Sequence, residues 1–338
     1  MDTVLLTGIS GYLGGHVALA LLKRGFAVRG SLRDLAKADA VRTAIAAAGG
    51  AVDRLDFCAL DLLNDAGWRD AARGCRYLQH VASPFVLKMP RDPDLLVRPA
   101  VEGTRRAIQA ALAAGHERIV LTSSVAAIDS GHADYGRTLG PADWTRTDGS
   151  DVSAYTRSKT LAEREAWALM SHAGSRDRLS VVNPGTLIGP LIDDDPGTSV
   201  VVIQRMLRGD LPMLPDLYLP YVAVEDVAAV QVEAMLSPQA CGLRHIVTHD
   251  AQPLAEIAAI LRDRVPELAR KVPRRTMPGW MAATVALFDR SLRDSRTYLG
   301  TMRRYDTSRT IALLGRPLQP TADAVAATAR SLAARGLI

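Results

Sequence analysis

Tyr155 and Lys159 stand four residues apart in the segment YTRSK, a spacing that sets both side chains on one face of a helix. A free phenol has a pKa of about 10, too high for proton exchange near neutrality, and a neighbouring ammonium group favours the phenolate and lowers it. Tyr155 is therefore a candidate general acid and Lys159 the group that tunes it. Ser124, which closes the apolar run RIVLTSS, offers a hydroxyl that can hold a carbonyl oxygen in line for attack. Each residue also has an ordinary structural role: amphipathic packing for Tyr155, a solvated helix charge for Lys159, a strand-end turn for Ser124. Tyr and Lys fall at this spacing by chance in roughly one such chain in ten, so placement carries the argument.

That placement follows from the elements around them. In TVLLTGISGYLGGHVALALL an apolar strand runs into Gly8, Gly11 and Gly14 and then into an amphipathic helix. Glycine at this spacing lets the chain turn sharply, brings backbone N–H groups against a pyrophosphate and packs the helix on the strand. The loop residues Gly8, Ser10, Gly11, Tyr12, Leu13 and Gly14 are the expected dinucleotide cradle, facing the helix N-terminus. The second strand ends in VRGSLRD. An acidic residue there would bond a ribose 2′-hydroxyl; Arg33, with Lys37 one turn on, instead forms a clamp for a 2′-phosphate and selects NADP(H). Asp34 is the complication, with capping of the following helix as its structural role. Asp61 and Leu62 past the third strand, Val81, Ala82 and Ser83 at the end of the fourth, and Thr122 at the end of the fifth border the same sheet edge.

Short β-rich runs at Val4–Thr7, Ala27–Leu32, Leu55–Leu60, Tyr77–Ala82, Arg118–Ser123 and Leu179–Asn183 alternate with helical stretches. The expected fold is α/β, a Rossmann-type doubly wound parallel sheet with a smaller, mostly helical C-terminal substrate lobe. Residues 1–184 plus about 221–248 would form the NADP-binding domain, with Tyr221–Val224, the helix Asp226–Leu236 and the strand Arg244–Thr248 returning to the sheet. Residues of about 185–220, rich in Gly, Pro and Asp, and 249–338 would form the substrate lobe. Cys58, Cys75 and Cys241 show no C-x-x-C spacing, which argues against a disulfide framework or zinc cage. Neither a leader pattern nor an apolar run of about 20 residues is present, so a cytoplasmic protein without a membrane partner is expected. The net charge of +5 invites a nucleic-acid reading, but only five of 41 basic residues are lysine and the arginines are spread out. Pairs such as Arg274-Arg275 and Arg303-Arg304 read as solvated faces, and no nucleic-acid partner or metal is expected.

Together TGISGYLG, Arg33, HVASPF, VLTSS, YTRSK and NPGTLIGP resemble the extended short-chain dehydrogenases, particularly the dihydroflavonol reductase, cinnamoyl-CoA reductase and yeast methylglyoxal/aldehyde reductase branch. The resemblance covers nearly the whole chain, including PAVEGTRRAIQAA, the Asp143-Trp144 pair and the closing YDTSRTIALLGRPLQPTADAVAATARSL. It implies Ser124, Tyr155 and Lys159 as the catalytic triad, Lys159 also holding the cofactor ribose, and Pro184, Gly185 and Ser199 near the nicotinamide half and phosphates. Ala223 stands where that branch often has histidine, and Gly185 is smaller than its usual side chain. The implied activity is NADPH-dependent, reversible reduction of a ketone or aldehyde in a mainly apolar pocket, its candidate walls Phe85, Val86, Val125, Ala126 and Trp144. His80, beside Val81, reads as structural. An NAD-retaining nucleotide-sugar epimerase or dehydratase, and a non-catalytic NADP-sensing regulator, share the fold. Monomer and homodimer are both compatible with the sequence.

Overall fold

Short runs of four to six residues, largely apolar and, apart from the edge strand β3 (Leu55–Ala59), mostly buried, build a seven-stranded parallel sheet. The computed structural model describes residues 1–84, 92–149, 152–278, 281 and 296–338. The sheet contains β1 (Thr3–Thr7), β2 (Ala27–Leu32), β3 (Leu55–Ala59), β4 (Tyr77–His80), β5 (Arg118–Thr122), β7 (Leu179–Pro184) and β10 (Arg244–Val247) in the order β10-β7-β5-β4-β1-β2-β3. Alternation along each strand sends neighbours to opposite cores. Val4 and Leu6 join the layer containing Val17, Leu21 and Val227, while Leu5 joins the layer containing Ile108, Ile119 and Ala166. Each Val, Leu or Ile side chain among them contributes about 1.5–3 kcal/mol on burial.

The helices that carry the site are α1 (Tyr12–Lys23), after the glycine loop, and α5 (Ala154–His172), which packs along α4 (Asp94–Ala113). Two further helices, α2 (Ala38–Ala47) and α3 (Trp68–Ala72), flank β2, β3 and β4. The start of α5 is fixed by Ser153, whose Oγ accepts from the Thr156 N–H at 3.1 Å. The strand order reverses between β1 and β4, which opens a crevice beyond their carboxyl ends.

A separate apolar cluster draws on α6 (Gly197–Arg208), α8 (Leu254–Arg264) and α10 (Thr321–Ala334), with Ile203, Met206, Ile257, Leu261, Val325 and Ala329 all buried. The short helix α9 (Ser308–Leu314) instead packs against α7 (Val224–Leu236) and β10.

One expectation about strand pairing is corrected. The segment around Tyr221 does not rejoin the main sheet: β9 (Tyr218–Ala223) pairs with β8 (Thr186–Ile188) and antiparallel β11 (Ala251–Pro253). Both edges of β7 are already occupied, by β5 and β10, so β8 departs after Gly185 and supplies β9 with a partner. Only α7 and β10 return as expected. A two-stranded parallel ribbon, β6 (Thr138–Leu139) with β12 (Arg304–Tyr305), joins the late chain to the loop after β5. Among the described residues no helix is long and apolar enough to cross a membrane.

Candidate active site

The glycine loop is a cradle that side chains would fill. Gly8 has φ +76°, and a Cβ there would lie 2.8 Å from the backbone of Ala82; at Gly14 a Cβ would meet the Gly8 carbonyl at 2.0 Å. The two strand ends are locked by Thr7, whose hydroxyl accepts from the Ala82 N–H at 3.1 Å and shares a 2.8 Å hydrogen bond with His80 Nδ1. Burial lowers the His80 pKa to about 3, with the nearby Lys159 charge adding to the effect, and the ring acts as a neutral strut.

Beside this cradle lies a cavity of about 860 Å³ lined by Gly8, Ser10, Gly11, Tyr12, Leu13 and Gly14, by Arg33 and Lys37, by Asp61 and Leu62, by Val81, Ala82 and Ser83, and by Ser199. The structure thus gathers most of the sequence-selected cofactor residues around one space, of a size that suits a ligand. Asp34 turns away: its carboxylate accepts from the Ala36 N–H at 2.9 Å and caps the 3-10 turn Leu35–Lys37. Asp61 accepts from the Leu63 N–H at 2.8 Å, shaping the loop rim. Sequence reasoning passed over Ser31, whose hydroxyl accepts the Gly8 N–H at 3.2 Å, and the wall residues Leu187, Asp193 and Asp195. Only the irregular composition of GPLIDDDPGTS marked that last loop.

Five selected positions stand outside that lining: Tyr155 and Lys159, described below with Ser124, and Thr122, Pro184 and Gly185. Thr122 accepts from the Gln231 side chain at 2.5 Å. Pro184 receives the Ser124 hydroxyl at 3.5 Å, and Gly185 is wedged so tightly that a Cβ would lie 2.3 Å from both the Pro220 carbonyl and Thr248 Oγ1.

Ser124, Tyr155 and Lys159 converge where β5 ends and α5 begins. The Lys159 ammonium lies 6.0 Å from the centre of the Tyr155 ring. Ser124 and Lys159 are buried, whereas 36% of Tyr155 stays accessible. Burial lowers the Lys159 pKa to about 8, opposed by the Glu163 carboxylate. The phenol departs from the direction expected of it. Although part of the ring is open, burial around the phenol raises the Tyr155 pKa; hydrogen bonding by Ser124 pulls it back, and the Asp129 charge raises it again.

Of the residues expected to wall a substrate pocket, Phe85 and Val86 lie outside the described residues. Val125 packs with Ile128, Leu139, Ile246 and Tyr305, and the Ala126 N–H donates to Ser124 Oγ at 3.2 Å. The Trp144 ring lies under two guanidinium groups, 4.0 Å from Arg244 and 5.2 Å from Arg164.

Two buried ion pairs flank the triad. Glu163 of α5 pairs with Arg244 of β10, and Asp129, in the loop after β5, pairs with Arg303. Arg303 corrects the reading of Arg303-Arg304 as a solvated pair. Alternation through Arg303, Arg304 and Tyr305, at the entry to β12, leaves Arg304 exposed and turns Arg303 inward, where Asp129 balances its charge. Arg274 and Arg275 are exposed, as expected.

Residues 4–247 match the NAD dependent epimerase/dehydratase family. The chain is 34% identical over 273 residues to cinnamoyl-CoA reductase 1 of Oryza sativa subsp. japonica, covering 78% of this chain and 76% of the rice protein. It is 30% identical over 293 residues to the dihydroflavonol 4-reductase of Zea mays, with 82% and 77% covered. Among solved structures, the yeast methylglyoxal/isovaleraldehyde reductase complexed with NADPH shares the fold at a TM-score of 0.81, 24% identity, and coverage of 99% of this chain and 100% of that one. The chain belongs to the NAD dependent epimerase/dehydratase family, the extended short-chain dehydrogenase/reductase group of oxidoreductases.

Proposed function

We propose that this protein reduces a ketone or aldehyde to an alcohol, reversibly, with NADPH. The observation that carries the reading is the convergence of Ser124, Tyr155 and Lys159 at the carboxyl end of β5, the sheet edge on which the glycine loop, Val81 and Ala82 border a cavity that Arg33 and Lys37 also line. The residues fit the cofactor. The glycine cradle has no room for side chains at Gly8 and Gly14, the cavity is of adequate volume, and the Asp34 carboxylate beside Arg33 is engaged in capping, which leaves Arg33 and Lys37 as cations for a 2′-phosphate. The family and the reductases among its relatives support the same chemistry.

Bound NADPH supplies the hydride. Ser124 holds the carbonyl oxygen, and Tyr155, protonated near neutrality as an ordinary phenol is and more firmly so on burial, gives that oxygen its proton. Lys159, charged below about pH 8, holds the cofactor ribose and stabilises the phenolate that forms. In the oxidative direction the phenolate takes the proton back.

Replacing Tyr155 with Phe should lower kcat by about 10²- to 10⁴-fold and leave NADPH binding intact. Full activity in that variant would sink the assignment. A panel of ketones, aldehydes, flavonoid-like carbonyls and CoA thioesters, assayed with NADPH and NADH in parallel, tests cofactor and substrate class together. Tightly retained NAD in the purified protein would favour the epimerase chemistry also found in the family.

A further inference from the structure

Helical spacing puts Glu163 one turn beyond Lys159 and two beyond Tyr155, on the same face of α5. Its carboxylate has no solvent exposure and is surrounded by donors. Oε2 accepts from the Ser123 hydroxyl at 2.6 Å, Asn183 Nδ2 at 2.8 Å and Arg244 Nη2 at 3.2 Å; Oε1 accepts from Arg244 Nε at 2.5 Å and Trp167 Nε1 at 3.2 Å. Asn183 Nδ2 also donates to the Ser124 carbonyl at 3.1 Å. Both of these partners are acceptors, so the amide nitrogen must face them and the orientation of Asn183 is fixed.

We infer that Glu163 is a positioning residue of the catalytic set, a single carboxylate that anchors Ser124 through Ser123 and Asn183 while backing the charge of Lys159. The inference rests on the carbonyl-reductase reading for its kinetic consequence alone. A buried carboxylate needed only for packing has no reason to bond the residue before Ser124 and the amide holding Ser124's own carbonyl. Arg244 neutralises it from β10, and its remaining N–H groups reach the Pro141 carbonyl at 3.0 Å and the Asp143 carbonyl at 2.5 Å. The titratable and charged groups facing Lys159 are Glu163 and Tyr155 on its own helix and His80, held neutral, at the end of β4. Glu163 is the carboxylate among them, so its removal lets Lys159 lose its proton at lower pH.

Glu163→Gln alone would strand the Arg244 charge in the interior and risks misfolding. The decisive variant is the double Glu163→Gln/Arg244→Met, which removes both charges and keeps an amide facing Ser123 and Asn183. The chain has five lysines, so the Lys159 ammonium can be followed by NMR, with Lys159→Met as the assignment control. In the folded double variant the Lys159 titration should move down by about one pH unit. The kcat for carbonyl reduction should fall about tenfold or more while the KM for the carbonyl changes little. A double variant that folds and keeps both the wild-type titration and the wild-type kcat would overturn the inference. If the wild-type protein binds NADPH but reduces no carbonyl, the functional reading fails, and the titration, which needs neither cofactor nor substrate, still decides the role of Glu163.

Discussion

The two buried arginine–carboxylate pairs differ in how the charge is held. Around Glu163 and Arg244 hydrogen bonds predominate, with five donors on the carboxylate and carbonyls on the outer edge of the guanidinium, whose face also meets the Trp144 ring at 4.0 Å. Asp129 and Arg303 meet at 3.2 Å, and the Arg303 Nε and Nη1 groups make no hydrogen bond among the described residues. Here three hydroxyls, of Tyr305 at 2.7 Å, Ser130 at 3.1 Å and Tyr298 at 3.2 Å, solvate the carboxylate, while the Tyr298 and Tyr135 rings lie 4.1 and 4.6 Å from the guanidinium carbon. A charge held by hydrogen bonds fixes atoms, whereas one held by ring faces fixes only a neighbourhood. The first kind ties α5 to β10; the second fastens the late segment containing Tyr298 and Tyr305 to the loop after Ser124.

Single replacements separate the two. Arg244→Met leaves Glu163 charged and unpaired in the core and should destabilise the fold by about 3–5 kcal/mol in denaturant unfolding. Arg303→Met should cost less, about 2 kcal/mol: three donors remain on either carboxylate, but Arg303 gives up one hydrogen bond, to the Thr297 carbonyl, where Arg244 gives up those to Glu163, Pro141 and Asp143. Equal losses would show that hydrogen bonding does not distinguish the pairs.

Their effects on pH dependence should have opposite signs. The negative charge of Asp129 raises the Tyr155 pKa, and Arg303 offsets that charge. In Arg303→Met the phenolate therefore forms later, and the limb of alcohol oxidation that requires it moves to higher pH. Loss of the Glu163 charge moves the Lys159 limb the other way. Rate profiles of both variants against pH check this, and limbs moving in the same direction would contradict it.

Acid reaches a third, weaker kind of burial. His80 and His16 are held neutral chiefly by burial, with pKa values of about 3 and about 4. Below pH 6.5 the unfolded chain takes up protons that the folded one refuses, so stability should decline as pH falls from 6.5 toward 4. Tm measured across that window tests it, and a flat profile would show that the rings are protonated in place.

What was legible in the sequence was local. The glycine loop, the Tyr155–Lys159 spacing and the capping role of Asp34 each depend on residues a few positions apart, where chain geometry leaves few alternatives. The Glu163–Arg244 and Asp129–Arg303 pairs join residues 81 and 174 positions apart, and nothing in spacing announces them. In an arginine-rich chain a buried guanidinium looks like its solvated neighbours, as Arg303 does beside Arg304. The direction of the Tyr155 shift was hidden for a related reason: Lys159 can be counted from the helix, but burial of the phenol comes from the packed fold.

Lys159 is a cation that the folded chain accommodates worse than the unfolded one does. Its pKa drops from 10.5 to about 8 on burial, so between those values the folded state carries fewer protons and stability climbs with pH; below about 8 the whole penalty is present. Methionine in its place would make a more heat-resistant protein. A library selected for thermal endurance alone should discard this lysine early, because at neutral pH the fold carries the whole cost of its charge.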